Sequence, residues 1–256
     1  NNWDHIRKTS PALVWLESPT NPLLKIIDIE GISRVAQEAG CDVLVDNTFA
    51  SPYLQQPLAL GATLSLHSTT KYINGHSDCL GGAVLTNDAD WHARMIFAQK
   101  ALGLQPSPFD AWLTARGART LPLRMDQHCA NALALAEWLQ DQPRVTSVRH
   151  PFLPSHPQYD LARRQMRAGS GLIVIELDCP SEQALAFSQG LTLFTMAESL
   201  GGVESLICHP ASMTHASVPP DVRRAVGISD GLLRLSVGIE DPSDLIADLS
   251  DALDKL

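Results

Sequence analysis

The feature that most constrains this chain is the rhythm of its first half, in which short apolar runs alternate with segments of helical spacing. Residues 12–16 (ALVWL) are strand-like, and Asp28 then caps a helix whose apolar positions are Ile29, Ile32, Val35, Ala36 and Ala39, closed by Gly40. Residues 42–46 (DVLVD) read as a buried strand. Ser51-Pro52 opens another helix, which Pro57 interrupts and Gly61 ends. Strands at about 63–67 and 80–86 follow, separated by a polar loop. Strand–helix–strand repetition of this kind predicts a mostly parallel sheet covered by helices on both faces, an α/β fold.

Ser107-Pro108-Phe109-Asp110 is a capping box with proline at the first helical position. It starts a helical stretch reaching Gln142, with a break near Leu121-Pro122. Beyond it come strand 144–149, helix 158–167, strand 172–178, helix 181–189, strand 232–237 and a final helix from Asp241-Pro242. This texture predicts a second, smaller α/β domain, so the chain divides into 1–121 and 122–256.

Several classes of function fall away. The formal charge is −9 over 256 residues, which argues against nucleic acid or an anionic membrane as the main partner. No apolar run approaches a membrane span, and the first residues do not form a signal peptide. Five scattered cysteines without a C-x-x-C pair suggest a reducing, cytoplasmic setting. Nine histidines with no ligand spacing predict no metal. Neither a G-x-G-x-x-G after a strand nor a phosphate-binding Walker loop is present, which weighs against a nucleotide site.

Two polar residues interrupt this pattern where ligands gather in open parallel sheets, at the carboxyl ends of strands. Asp46 ends one strand. The next ends in His67-Ser68-Thr69-Thr70-Lys71, and the 25-residue interval fits one crossover between neighbouring strands. Taken alone, Asp46 reads as a strand terminator or cap, and Lys71 as a surface lysine. Together, an amine, an acid and adjacent hydroxyls are what a pyridoxal phosphate site needs: an imine-forming base, a partner for the pyridine nitrogen and donors for the phosphate.

The run Val45-Asp46-Asn47-Thr48-Phe49, then Leu66-His67-Ser68-Thr69-Thr70-Lys71-Tyr72, then Gly75-His76-Ser77-Asp78, resembles the signature of the cysteine/methionine transsulfuration enzymes. Upstream, Glu17-Ser18-Pro19-Thr20-Asn21-Pro22 is similar to that family's lead-in to the cofactor site. Ala197-Glu198-Ser199-Leu200-Gly201-Gly202 and Leu233-Arg234-Leu235-Ser236 are similar to its substrate-binding segments. The resemblance runs over essentially the whole chain, with the motifs in the family's order.

It implies the aspartate-aminotransferase-like fold (fold type I), pyridoxal 5′-phosphate as cofactor and small amino acids as substrates. It implies Lys71 as the imine-forming base and Asp46 as partner of the pyridine nitrogen. Ser68 and Thr70 become phosphate ligands, with Thr48 beside them at the cofactor, and Asn21 bonds the cofactor's ring oxygen. Ser199 contacts the substrate near the lysine, Arg234 holds its α-carboxylate, and Glu198 attracts a distal ammonium group. Away from the resemblance, Asn21 between two prolines reads as a turn residue, Arg234 as a solvent-facing arginine, Glu198 as an exposed glutamate at a helix start and Gly201-Gly202 as a turn.

The expected reaction is that of a cystathionine γ-synthase, joining an O-acylated homoserine to cysteine. The alternative is cystathionine γ-lyase, which releases cysteine, 2-oxobutyrate and ammonia, and a more distant one is a non-catalytic α/β module derived from such an enzyme. The family's chains are longer at the N-terminus and form homotetramers with shared active sites. Since the sequence opens Asn1-Asn2-Trp3 without an initiator Met, the resemblance further implies that the N-terminal part of the large domain is absent here. With it would be missing an aromatic ring that stacks on the cofactor, a glycine-rich turn at the phosphate, and an arm carrying tyrosine and arginine.

Overall fold

The computed structural model describes residues 3–256, so the opening Asn1-Asn2 lies outside the described residues. The chain begins with α1 (Asp4–Thr9) and β1 (Leu13–Glu17), followed by α2 (Ile29–Glu38), β2 (Asp42–Asp46), α3 (Ser51–Leu54), β3 (Leu64–Ser68) and β4 (Gly82–Leu85). The four strands form one sheet in sequence order. β1, β2 and β3 run parallel and β4 returns antiparallel beside β3. Asp28 accepts from the Gly31 N–H at 3.0 Å as the cap of α2, and Gly40 follows that helix at φ +70°. Ile29, Ile32 and Ala36 on α2 bury against Val43 and Val45 of β2, the periodicities of 3.6 and 2 meeting at one interface. The helix expected from Ser51 is a single turn, because Gln55 leaves it in an extended conformation before Pro57.

Next come α4 (Ala89–Leu102), α5 (Pro108–Ala118) and α6 (Leu121–Gln140), with the expected break between the last two. Then follow β5 (Val145–Arg149), α7 (Tyr159–Gln165), β6 (Leu172–Leu177), α8 (Ser181–Gly190), β7 (Thr195–Met196), β8 (Leu206–Cys208), α9 (Pro220–Val226), β9 (Leu232–Ser236) and α10 (Pro242–Leu253). The second sheet has the order β5-β6-β9-β8-β7 and is antiparallel except for the β7–β8 pair. Sequence reading missed α1, α4, β7, β8 and α9.

β9 is buried along its whole length. Leu233, Leu235 and Val237 face a core shared with α6, α8 and α10. Leu232, on its other face, joins Leu172, Val174, Leu23, Leu24, Phe49 and Tyr72 in a core lying between the two sheets. That second core positions the site, because it presses the strand ends of the first sheet against β9. Among the described residues, no helix is long and apolar enough to cross a membrane, and all five cysteines are unpaired.

Candidate functional site

Asp46 and Lys71 lie at the same edge of the first sheet. β2 ends in Asp46, and its neighbour β3 ends in Ser68, three residues before the lysine. The strand ends are tied by polar bonds. The Thr48 N–H donates to Asp46 Oδ1 at 3.0 Å, and the Ser68 N–H donates to Thr48 Oγ1 at 2.9 Å. Asp46, Thr48 and Ser68 thus form one bonded series at the carboxyl ends of two parallel strands.

Lys71 projects from the turn after β3 and donates from Nζ to Ser199 Oγ at 3.1 Å, across 128 residues of chain. Burial first, and the Arg234 guanidinium second, hold its amine below the ordinary lysine pKa. Arg234 is 1% exposed in the middle of β9, so the solvent-facing reading does not hold. Its strand is covered on both faces, and the alternation that puts Leu233 and Leu235 in one core aims Arg234 at the other. Its Nη1 donates to Asn21 Oδ1 at 2.8 Å, and its Nη2 donates to the carbonyls of Glu198 and Ser199 at 3.0 and 3.1 Å. Its Nε is buried with no partner among the described residues.

The structure therefore brings together Lys71, Ser199, Arg234 and Asn21 in one bonded set. Glu198 belongs to it only through its carbonyl, its residue being exposed. Thr70 lies outside this bonded set: its Oγ1 accepts from the Gly81 N–H at 3.0 Å. Gly201 is no loose turn. At φ +74° its N–H donates to Ser236 Oγ at 2.8 Å, and a Cβ there would stand 2.8 Å from the Tyr72 nitrogen.

One residue that sequence reading left unassigned belongs here. Glu17 ends β1 and is the register partner of Asp46, and its Oε2 accepts from the Asn21 N–H at 2.9 Å. Burial raises its carboxyl pKa, the Asn21 N–H opposes this, Asp46 adds to it and Arg234 opposes it. The signal was present in two acidic residues ending consecutive strand-like runs, which parallel pairing sets side by side. His67 points away from this set. Its Nε2 lies 3.1 Å from Ser65 Oγ, and burial, against a weaker opposing pull from Asp46, pushes its pKa down to about 4, so it is a neutral buried ring.

These residues fit pyridoxal phosphate in their donor chemistry. Lys71 offers a partly desolvated amine and Asp46 a carboxylate at a strand end, while Ser68 and Thr70 bring hydroxyls. The buried Arg234 keeps an unused N–H for an anionic group. A cleft of about 520 Å³ opens between Thr70 and Ser199, and Asp78 and Asp110 also line it. No cationic side chain does so among the described residues, so a phosphate there would draw on hydroxyls and backbone N–H groups of this chain.

Comparison with known proteins shows the family. A cystathionine gamma-lyase from Dictyostelium discoideum is 51% identical over 95% of this chain and 63% of its own length. A cystathionine beta-lyase from Coxiella burnetii is 49% identical over 94% of this chain and 62% of its own. The crystal structure of cystathionine gamma synthase from Xanthomonas oryzae pv. oryzae, in complex with aminoacrylate and cysteine, superposes with a TM-score of 0.95. It is 52% identical, and the match covers 98% of this chain and 65% of that one. The chain therefore spans a little under two thirds of the length of these relatives. The model of the family described as Cys/Met metabolism PLP-dependent enzyme matches residues 1–254, and this chain belongs to that family, whose cofactor is pyridoxal 5′-phosphate.

Proposed function

We propose that this chain carries the catalytic residues of a cystathionine γ-synthase, which joins an O-acylated homoserine to cysteine. The observation that carries the proposal is the bonded set Lys71–Ser199–Arg234–Asn21, a desolvated amine beside a buried, partly unpaired guanidinium. Bound there, pyridoxal phosphate supplies an electron sink for bond breaking at the substrate's Cα. Asp46 would hold the charge at the ring nitrogen, Ser68, Thr70 and Thr48 would serve the phosphate end, and Asn21 would meet the ring oxygen. Arg234 takes the substrate's α-carboxylate, and its fixed fork sets which Cα bond faces the lysine. Lys71 Nζ, held beside Ser199 Oγ, would take the substrate's Cα proton, its burial shifting it toward the neutral amine. Ser199 Oγ would keep that amine aimed along Cα and Cβ, so that the same base could take the Cβ proton as the acyloxy group leaves and return it once the cysteine sulfur has added, the thiol proton going to the departing carboxylate. Glu198, exposed beside Ser199, attracts the distal ammonium group of cysteine or cystathionine.

The reading divides the chain into a part of the cofactor-binding domain (1–121) and a smaller domain (122–256). It places the enzyme in the cytoplasm as a homotetramer with shared active sites. The solved γ-synthase, at 52% identity, supports the synthase reading. The γ-lyase relative at 51% identity supports cystathionine γ-lyase as the second.

Borohydride reduction of the cofactor-loaded protein, followed by peptide mapping, tests the site. Label on Lys71 and loss of turnover in Lys71→Ala are expected, and label on another lysine would refute the assignment. Assays with O-succinylhomoserine or O-acetylhomoserine plus cysteine, against cystathionine alone, decide the reaction. Cleavage of cystathionine outpacing its formation would replace the synthase reading with the lyase.

A further inference from the structure

Next to the site lies a buried cation whose partners carry no charge. Arg124, in the first turn of α6, is 5% exposed. Its Nη1 donates to the Tyr72 carbonyl at 2.7 Å, and its Nη2 donates to the carbonyls of Gly117 and Ile73 at 2.9 and 3.2 Å. Its Nε donates to Thr120 Oγ1 at 3.0 Å. None of the ion pairs among the described residues includes it. Burying a guanidinium without a counter-charge costs several kcal/mol unless its N–H groups are matched by well-aimed acceptors. Here the acceptors are supplied by backbone, and two of them are the peptide carbonyls of the residues that directly follow Lys71.

The surroundings leave this arrangement no slack. Gly75 lies at φ +73°, and a Cβ there would collide with the Arg124 guanidinium. A Cβ on Gly117 would collide with the Asn74 carbonyl. From the opposite side, Gly201 packs onto the Tyr72 nitrogen. The turn at 71–75 is thus gripped between the α5–α6 junction and the segment that carries Ser199. An ordinary solvent-facing arginine would need neither glycine, and a merely space-filling one would not present a donor to each of four oxygens.

We propose that Arg124 is a positioning residue for Lys71. By holding the carbonyls of residues 72 and 73, it fixes the turn from which the amine is aimed at Ser199. It also couples that aim to α6, the helix on which the second sheet is packed. The proposal rests on Lys71 being the lysine that bonds the cofactor. A planar guanidinium serves four acceptors on two segments at once, and a lysine ammonium, a compact point charge on a flexible stem, does not reproduce it. Without the fork the turn relaxes, the Lys71 amine gains water, and its protonation moves back toward that of an ordinary lysine.

The test uses the full chain with and without pyridoxal phosphate, as wild type, Arg124→Lys, Arg124→Met and Thr120→Val. Three quantities are read: the pH midpoint of the visible absorbance of the cofactor–Lys71 bond, the fraction of Lys71 labelled after borohydride reduction, and the Tm of the cofactor-free protein. Leu249→Ala, in α10 within the core that α6, α8 and α10 form on the second sheet, shows what general loosening does. Both arginine variants are expected to move the pH midpoint by about one unit and to lower Lys71 labelling at neutral pH severalfold. Thr120→Val, which removes the acceptor of Nε and the hydroxyl's own bond to the Gly117 carbonyl at 3.2 Å, leaves the three bonds to carbonyls in place; it moves both in the same direction by less and decides the matter if the arginine variants do not fold. Leu249→Ala is expected to lower Tm and leave the midpoint in place. Variants that fold and keep the wild-type midpoint and labelling, or that shift only as Leu249→Ala does, overturn the positioning role while leaving the cofactor lysine intact. Wild-type label on another lysine overturns the cofactor reading, and this proposal with it.

Discussion

The two sheets serve the site in opposite ways. The second keeps its apolar side chains to itself: Leu233, Leu235, Ile173 and Ile175 are fully buried, and α6, α8 and α10 close over one face. The first leaves Trp15 63% exposed on its edge strand, with Leu13, Val84 and Leu85 also open. On the helices that follow, Phe97, Phe109 and Trp112 are exposed as well. The polar groups divide the other way. The first sheet offers Asp46, Ser68 and Lys71 on strand ends and turns, whereas the second contributes one buried arginine from the middle of a strand. Chemistry sits where backbone ends and ligands can approach, and orientation comes from a strand that cannot move. The comparison is sharpest where the two meet, at Arg234 and Asn21.

The largest expected effect tests the claim that the second sheet is closed under α6, α8 and α10. Leu235→Ala should destabilise the protein by about 2–5 kcal/mol, since a buried strand between two cores cannot collapse into the space left behind. Urea unfolding measures this, and a loss below about 1 kcal/mol would show that β9 is less constrained than its burial implies. For the first sheet the matching test is chemical. Asp46→Asn should lower kcat by about 10²–10³-fold, the scale of losing one preorganised electrostatic contact, with the cofactor still held through Lys71. Near-wild-type kcat would remove Asp46 from the mechanism.

Acid separates the regions next. Burial pushes the pKa values of His128 and His150, in the second region, down to about 4, as it does for His67 in the first. Each folded pKa is below its unfolded value of 6.5, so in that window the unfolded chain binds more protons and stability falls as pH drops. The expected loss between about pH 6.5 and 4 is on the order of 1–3 kcal/mol per histidine. His150→Phe should flatten the Tm profile over that range, and an unchanged slope would show that the ring is not the source. The smallest effect belongs to the exposed edge. Trp15→Ser should change stability by no more than about 0.5 kcal/mol, and a loss like that of Leu235→Ala would mean that β1 is a covered strand.

How much of this could be read from the sequence follows from how local each signal is. β2, α2 and the α5–α6 break follow from apolar spacing, from Asp28 as a cap and from proline at a helix start, all within a few residues. α4 gives no such signal because none of its residues is buried, so it has no apolar stripe to find. β7 and β8 are two and three residues long, too short for a period to repeat. The burial of Arg234 was hidden for another reason. Alternation along β9 reports that two faces differ, and it does not report that a second core covers the polar one. Glu17 stayed unassigned because its meaning lies in register with Asp46, which a strand-by-strand reading does not supply. Arg124 was passed over inside a helix whose other buried residues are mostly apolar, and the two acceptors that tie it to the Lys71 turn lie 52 and 51 residues upstream.

The bond between Lys71 and Ser199 also has a history in time. A ribosome adding about 5–20 residues per second delivers Asp46, Ser68 and Lys71 together. Ser199 lies 128 residues later. Arg234 lies 35 beyond Ser199, so the guanidinium emerges about 8–30 s after the amine. Until Ser199 follows, the amine has neither of its fixed neighbours, and until Arg234 follows it lacks the guanidinium that adds to the effect of burial on its basicity. The last of these neighbours arrives only when β9 slides into place, so a chain stalled before residue 232 would display the family's signature motif without the guanidinium beside its lysine.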